Sequence, residues 1–107
     1  MRFKSLYMVL VIAMFGCGNY CEKELKPMDI EAKIVNKYID KKDHAAKVIV
    51  LNQDNHSYEI VYDDRYTTNF WEFIQPGDSM IKRSGSLDVK IKRGQKEFNY
   101  TFNCSFN

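Results

Sequence analysis

Residues 87–106 read LDVKIKRGQKEFNYTFNCSF and contain two alternating segments on either side of a turn. Leu87, Val89 and Ile91 alternate with charged residues, and after Gly94 the alternation resumes at Phe98 and continues at every second position. Successive side chains of a strand point to opposite faces of a sheet. The pattern therefore predicts a β-hairpin with one apolar face, which the earlier part of the chain must cover.

Further strands are predicted upstream of this hairpin. The β-branched run Val48–Leu51 is too short for a typical helix and is typical of a buried strand. Residues 69–75 combine helical spacing with a high aromatic content, so they are either a short helical turn or an irregular strand. With strands expected over 30–38, 46–51, 56–62 and 79–83, the sequence predicts an all-β fold of about six strands, either a small antiparallel sandwich or an open barrel.

The first residues have the pattern of an export signal. A basic start, Met1-Arg2-Phe3-Lys4, precedes the uncharged apolar stretch Leu6–Phe15. A helix that spans a bilayer needs roughly 20 apolar residues, which is more than this stretch provides. We therefore expect a secretory signal over residues 1–16.

The end of the apolar stretch, Met14-Phe15-Gly16-Cys17, resembles the lipobox of bacterial lipoproteins, although that family usually has a small residue where Phe15 stands. The resemblance implies that Cys17 becomes the new N-terminus and carries fatty acyl chains such as palmitate. Gly18 follows instead of the Asp that retains some lipoproteins at the inner membrane, so we expect the outer membrane of the cell envelope. The alternative is an ordinary signal cut after Gly18, which gives a secreted or periplasmic soluble protein.

The remaining chain is expected to form one domain behind a tether. Residues 17–28 are polar and contain Pro27, so we interpret them as a tether, and we assign residues 29–107 to a single domain.

The net charge of the mature chain is expected to be zero. Removal of the signal removes Arg2 and Lys4, so the number of basic residues falls from 16 to 14, which equals the 14 acidic residues. A neutral chain does not favour a nucleic-acid partner.

The three cysteines suggest one disulfide. If Cys17 is acylated, Cys21 and Cys104 remain as a pair, and a disulfide suits an exported protein. The alternative is that Cys104 is a small buried apolar residue of the last strand.

The segment Gly77-Asp78-Ser79-Met80-Ile81-Lys82 lies in a layout similar to that of a group of small bacterial lipoproteins that share a Gly-Asp-Ser-hydrophobic-x-Lys stretch. Those proteins have no established activity. The resemblance implies an exported all-β lipoprotein and assigns no catalytic residue.

Ser79 is the residue that suggests an enzyme, because Gly-Asp-Ser also resembles the nucleophile block of one hydrolase family. A serine nucleophile needs a base, which in that family is a downstream His, whereas His44 and His56 both precede Ser79. We therefore treat a serine hydrolase as the alternative function and expect a turn capped by Asp78.

The His and acidic residues have no recognised metal-ligand spacing, so we expect no metal or cofactor.

Aromatic residues are dense between positions 58 and 73. Most have natural core positions, but Tyr66 and Trp71 lie beside acidic residues and are candidates for a surface that binds a glycan or an extended peptide. The sequence thus predicts a non-enzymatic envelope protein that binds a protein or glycan partner, with a structural subunit of an envelope assembly as a further alternative.

Overall fold

The computed structural model of the chain describes residues 19–42 and 44–105. These residues form one sheet of six antiparallel strands in the order β3-β2-β1-β4-β5-β6. The expectation of a small all-β fold of about six antiparallel strands is confirmed. The strands do not divide into two layers, and the sheet is not closed into a barrel. Their bounds are Ile30–Asp40 (β1), Ala46–Gln53 (β2), His56–Tyr62 (β3), Ser79–Lys82 (β4), Asp88–Arg93 (β5) and Lys96–Thr101 (β6).

The long central strand β1 joins two smaller sets of strands. Its start pairs with β4, from Ile30 opposite Lys82 to Lys33 opposite Ser79. From Lys33 onward it pairs with β2, with an irregularity in the register between Ile34 and Asn36. A bulge at such a point increases the local twist of the strand. The two sets of strands therefore meet along β1, close to this irregularity.

Alternation gives the sheet a core face and an open face. The core face is covered by the helical turn Cys21–Leu25 and by residues 63–78, which include the one-turn helix α1, Phe70–Phe73. The helical turn expected near residues 69–75 is thus present. No second layer covers the other face in the described part of the chain, and we call this the open face. The buried apolar residues include Ile30, Ile34, Ile49, Leu51, Ile60, Phe70, Ile74, Met80, Val89, Ile91 and Phe102.

The N-terminal segment differs from the expected tether. Cys21 and Leu25 are fully buried in the core, and Met28 packs against the same cluster. Cys21 and Leu25 are four residues apart, which places them on one face of the helical turn, and Met28 follows shortly after its end. The interpretation of residues 17–28 as a tether is therefore corrected for residues 20–28, which belong to the domain. The expected signal, Cys17 and Gly18 lie outside the described residues.

Candidate functional site

Tyr66 is not part of a surface platform. Its exposed fraction is 4%, and its ring centroid lies 5.4 Å from those of both Tyr62 and Phe102. A turn explains this position, because Arg65 pairs with the Asp63 carboxylate at 2.7 Å and the Tyr66 amide donates to the Asp63 carbonyl. The chain reverses there and directs Tyr66 back onto the core. The prediction that Tyr66 contributes to a binding surface is therefore wrong.

Trp71 is half-buried and belongs to a cluster of aromatic and cationic side chains. Its ring stacks on Tyr62 at 6.1 Å, and the Nζ atoms of Lys37 and Lys47 lie 5.3 and 5.6 Å from its centroid. Lys37 also donates a hydrogen bond to the Trp71 carbonyl. These cation-aromatic contacts use the ring surface that a glycan or peptide would need. Trp71 is therefore fixed at the edge of the core. It does not form an exposed platform with Tyr66, which is buried.

Ser79 lies on the open face between two lysines. It is opposite Lys33 of β1 and Lys92 of β5, and these residues, with Gly77 and Gly94, line a cleft of about 500 Å³. Neither histidine lines the cleft. Within residues 19–42 and 44–105, no His or Lys is hydrogen-bonded to the Ser79 hydroxyl. The cleft is lined by these two lysines and by Glu31, and no base among the described residues contacts the serine.

Asp78 is buried and connects three segments. Its carboxylate accepts hydrogen bonds from the Gln75 amide at 3.0 Å and from Nε and Nη2 of Arg93, each at 2.8 Å. The Arg93 guanidinium also donates to the Phe73 carbonyl at 2.7 Å and lies 4.3 Å from the Phe73 ring centroid. The hydrogen bonds from Arg93 lower the pKa of Asp78, although burial acts against them. The expected turn around Asp78 is present, and the paired guanidinium is an addition that the sequence analysis missed.

Lys82 is the second buried charge of the same stretch, with an exposed fraction of 1%. Its Nζ donates to the carbonyls of Lys26, Met28, Arg83 and Ser86 at 2.9, 2.7, 3.0 and 2.9 Å. Burial lowers the pKa of Lys82, and the negative charge of Asp29 acts against this change. Strand alternation contained a signal for this inward position, because Lys82 lies two residues after the buried Met80.

Cys21 and Cys104 form a disulfide, the pairing that the cysteine count favours, with a Cα–Cα distance of 5.3 Å. Asn19 lies beside it, where its side-chain amide donates to the Cys104 carbonyl at 2.7 Å. The bond links the N-terminal helical turn to the segment that follows β6. It thereby holds the cover of the core face in place.

Four large apolar side chains are exposed on β1 and β3, with exposed fractions of 37–48%. Tyr38 and Val61 share a cross-strand row on the open face, in which Val48 of β2 lies between them. The other two are Val35, within the register irregularity, and Ile39, near the end of β1. The exposed apolar surface is therefore concentrated in the β1–β3 half of the sheet.

Two kinds of feature are not found in the described ranges. There is no group of three or more His, Cys, Asp or Glu residues that could hold a metal ion. None of the helices there has the length and apolar character required to cross a membrane.

Comparisons with protein-family models, with curated proteins and with solved structures found no match to this chain.

Proposed function

We propose that this chain is an exported, lipid-anchored protein of the cell envelope, held at the outer membrane, that binds a protein or glycan partner and performs no catalysis. The Cys21–Cys104 disulfide carries the proposal, because disulfides persist in oxidising compartments and are rare in the cytosol. The sequence has three cysteines, so this pairing leaves Cys17 for acylation. More than one acyl chain on Cys17 would give stable anchoring, which a single chain does not.

The surroundings of Ser79 favour binding over hydrolysis. A serine nucleophile must be within hydrogen-bond reach of its base, and Ser79 has no such contact with a His or Lys in the described part of the chain. Asp78 and Lys82 are both occupied by internal hydrogen bonds. The partner in this proposal contacts the open face of β1, β4 and β5, where the cleft between Lys33 and Lys92 lies.

Fractionation of bacterial envelopes tests the anchor. We expect the wild-type chain in the membrane fraction and Cys17→Ser in the soluble fraction, because the variant lacks the sulfur that would carry the diacylglyceryl group. Gly18→Ala is the matched control, since it changes the neighbouring residue and keeps Cys17. Equal distribution of the wild type and Cys17→Ser would contradict the anchor.

A fluorophosphonate probe, which labels activated serines, tests the absence of hydrolase chemistry. We expect the folded wild-type chain to remain unlabelled, because Ser79 has no base beside it. Labelling of the wild type that disappears in Ser79→Ala would show an activated Ser79 and would contradict this part of the proposal.

A further inference from the structure

Residue 19 is held rigidly against the domain. The Asn19 side chain donates to the Cys104 carbonyl at 2.7 Å and accepts a hydrogen bond from the Cys21 amide at 2.9 Å. Cys21 is itself joined to Cys104. Cys17 is two residues before Asn19, a stretch of chain that spans at most about 7 Å. If Cys17 is acylated, as in the proposed function, the domain must therefore lie directly at the membrane surface.

Tyr20, near the start of the described chain, reaches the free edge of β3. The Tyr20 hydroxyl, one residue after Asn19, accepts a hydrogen bond from the Val61 amide at 3.4 Å. Val61 is opposite Val48, which is opposite Tyr38. Neighbouring strands are about 4.8 Å apart, so the backbone at Tyr38 lies about 10 Å from that at Val61. The exposed apolar side chains are thus close to the point where the chain enters the domain.

The chemistry of this end of the sheet suits a bilayer interface. Tyr38 and Val61 are exposed in one cross-strand row of the open face, and Lys41 and Lys42 follow in the turn after β1. A tyrosine with neighbouring aliphatic side chains fits the boundary between acyl chains and headgroups, where lysine stems can lie along apolar surface with their ammonium groups in water.

The acidic residues at this end have partners within the domain, among them Asp40, whose carboxylate accepts a hydrogen bond from the Lys42 amide at 3.0 Å. The Asp63 carboxylate is paired with Arg65 at 2.7 Å, and Asp64 is paired with Lys47. Glu59 accepts a hydrogen bond from the Tyr38 hydroxyl at 3.1 Å. These contacts reduce the repulsion that bare carboxylates would meet at an anionic lipid surface.

We propose that Tyr38, Val61, Lys41 and Lys42 form a membrane-facing surface, which lies on the same bilayer that holds the lipid anchor. This inference rests on the proposed function and adds an orientation to it. The end of the sheet that carries Tyr38 and Val61 lies on the lipid, and the cleft around Ser79 adjoins the other end of β1, where a partner can reach it.

Quenching of tryptophan fluorescence by lipids with brominated acyl chains tests the orientation. The full chain, matured in a bacterial host, is placed in phosphatidylcholine–phosphatidylglycerol vesicles in a Trp71→Phe background, with the new indole introduced by Tyr38→Trp. Asn99→Trp on β6 is the matched control, because position 99 is also exposed but lies on the opposite edge of the sheet. Val61→Trp replaces Tyr38→Trp if circular dichroism shows that the latter does not fold.

We expect loss of emission at position 38 or 61 and unchanged emission at position 99. Equal quenching at both edges, or quenching at position 99 alone, would overturn the orientation. A blue shift at position 38 without quenching would indicate cover by protein, such as a second copy, and would overturn it too. The mass of the N-terminal peptide separates the two proposals: an acylated Cys17 with unquenched indoles contradicts only the orientation, whereas an unmodified N-terminus contradicts the proposed function.

Discussion

At the scale of single residues, Lys82 joins two segments that are distant in sequence. Its ammonium group binds carbonyls of residues 26 and 28 and of residues 83 and 86. The Gly85 amide adds a hydrogen bond to the Lys26 carbonyl at 2.8 Å. A buried charge without such partners would be strongly unfavourable, so these carbonyls make the inward position possible.

Replacement of this lysine should therefore destabilise the fold. Lys82→Met keeps much of the apolar stem but leaves four carbonyls without their donor, and we expect the free energy of unfolding to fall by about 3 kcal/mol. Lys90→Met is the matched control on the adjacent strand, because Lys90 is 41% exposed and its salt bridge should contribute less than about 1 kcal/mol. Urea denaturation measures both. Equal losses in the two variants would contradict the role given to Lys82.

Asp78 should make stability depend on pH in the acid range. Its pKa is lowered in the folded state, so its contribution is complete above the unfolded value of about 3.9 and disappears as the pH falls through the lower folded value. We expect Asp78→Asn to lose about 3 kcal/mol at neutral pH, because Arg93 loses its carboxylate partner. The difference from wild type should shrink as the pH falls below about 3.9.

Denaturation curves from neutral pH to acid measure this difference. The exposed Asp54, in the β2–β3 turn, provides the control. Asp54→Asn should change stability little at any pH. A difference for Asp78→Asn that does not vary with pH would show that the Asp78–Arg93 pair is not its cause.

At the scale of elements, the disulfide holds the N-terminal helical turn on the core face. Its sequence separation of 83 residues gives a stabilisation of about 4.5 kcal/mol in the chain-entropy model. We expect Cys104→Ser to lower the free energy of unfolding by this amount, and a reductant to lower that of the wild type to the same value. A variant that is as stable as the oxidised wild type would contradict this estimate.

The strands were predictable because each follows a local pattern. The third strand, His56–Tyr62, has the predicted bounds, and the last two strands pair as a hairpin with Ile91 opposite Phe98. The helical turn at Cys21–Leu25 was missed because its polar residues and Pro27 suggested a linker. Its apolar spacing was readable, but its burial depends on the sheet and on Cys104, which lie far away in sequence.

At the scale of the whole molecule, alternation predicts which side chains share a face, but it does not predict how many layers the strands form. Six strands can make a sandwich or one curved sheet, and here residues 63–78 and the N-terminal turn supply the cover that a second sheet would give. The same contacts bury Tyr66, so its place in the core could not be read from its own neighbours. The exposure of Tyr38 and Val61 likewise depends on how all six strands and the covering segments are arranged, which their own neighbours in sequence do not show.

The intact mass of the mature protein, purified from bacterial envelopes without reductant, tests the central claim most directly. We predict a chain that begins at Cys17, carries diacylglyceryl and amide-linked acyl groups, and contains a Cys21–Cys104 disulfide. An unmodified N-terminus, or free thiols at positions 21 and 104, would contradict the account of an exported domain fixed closely to its membrane.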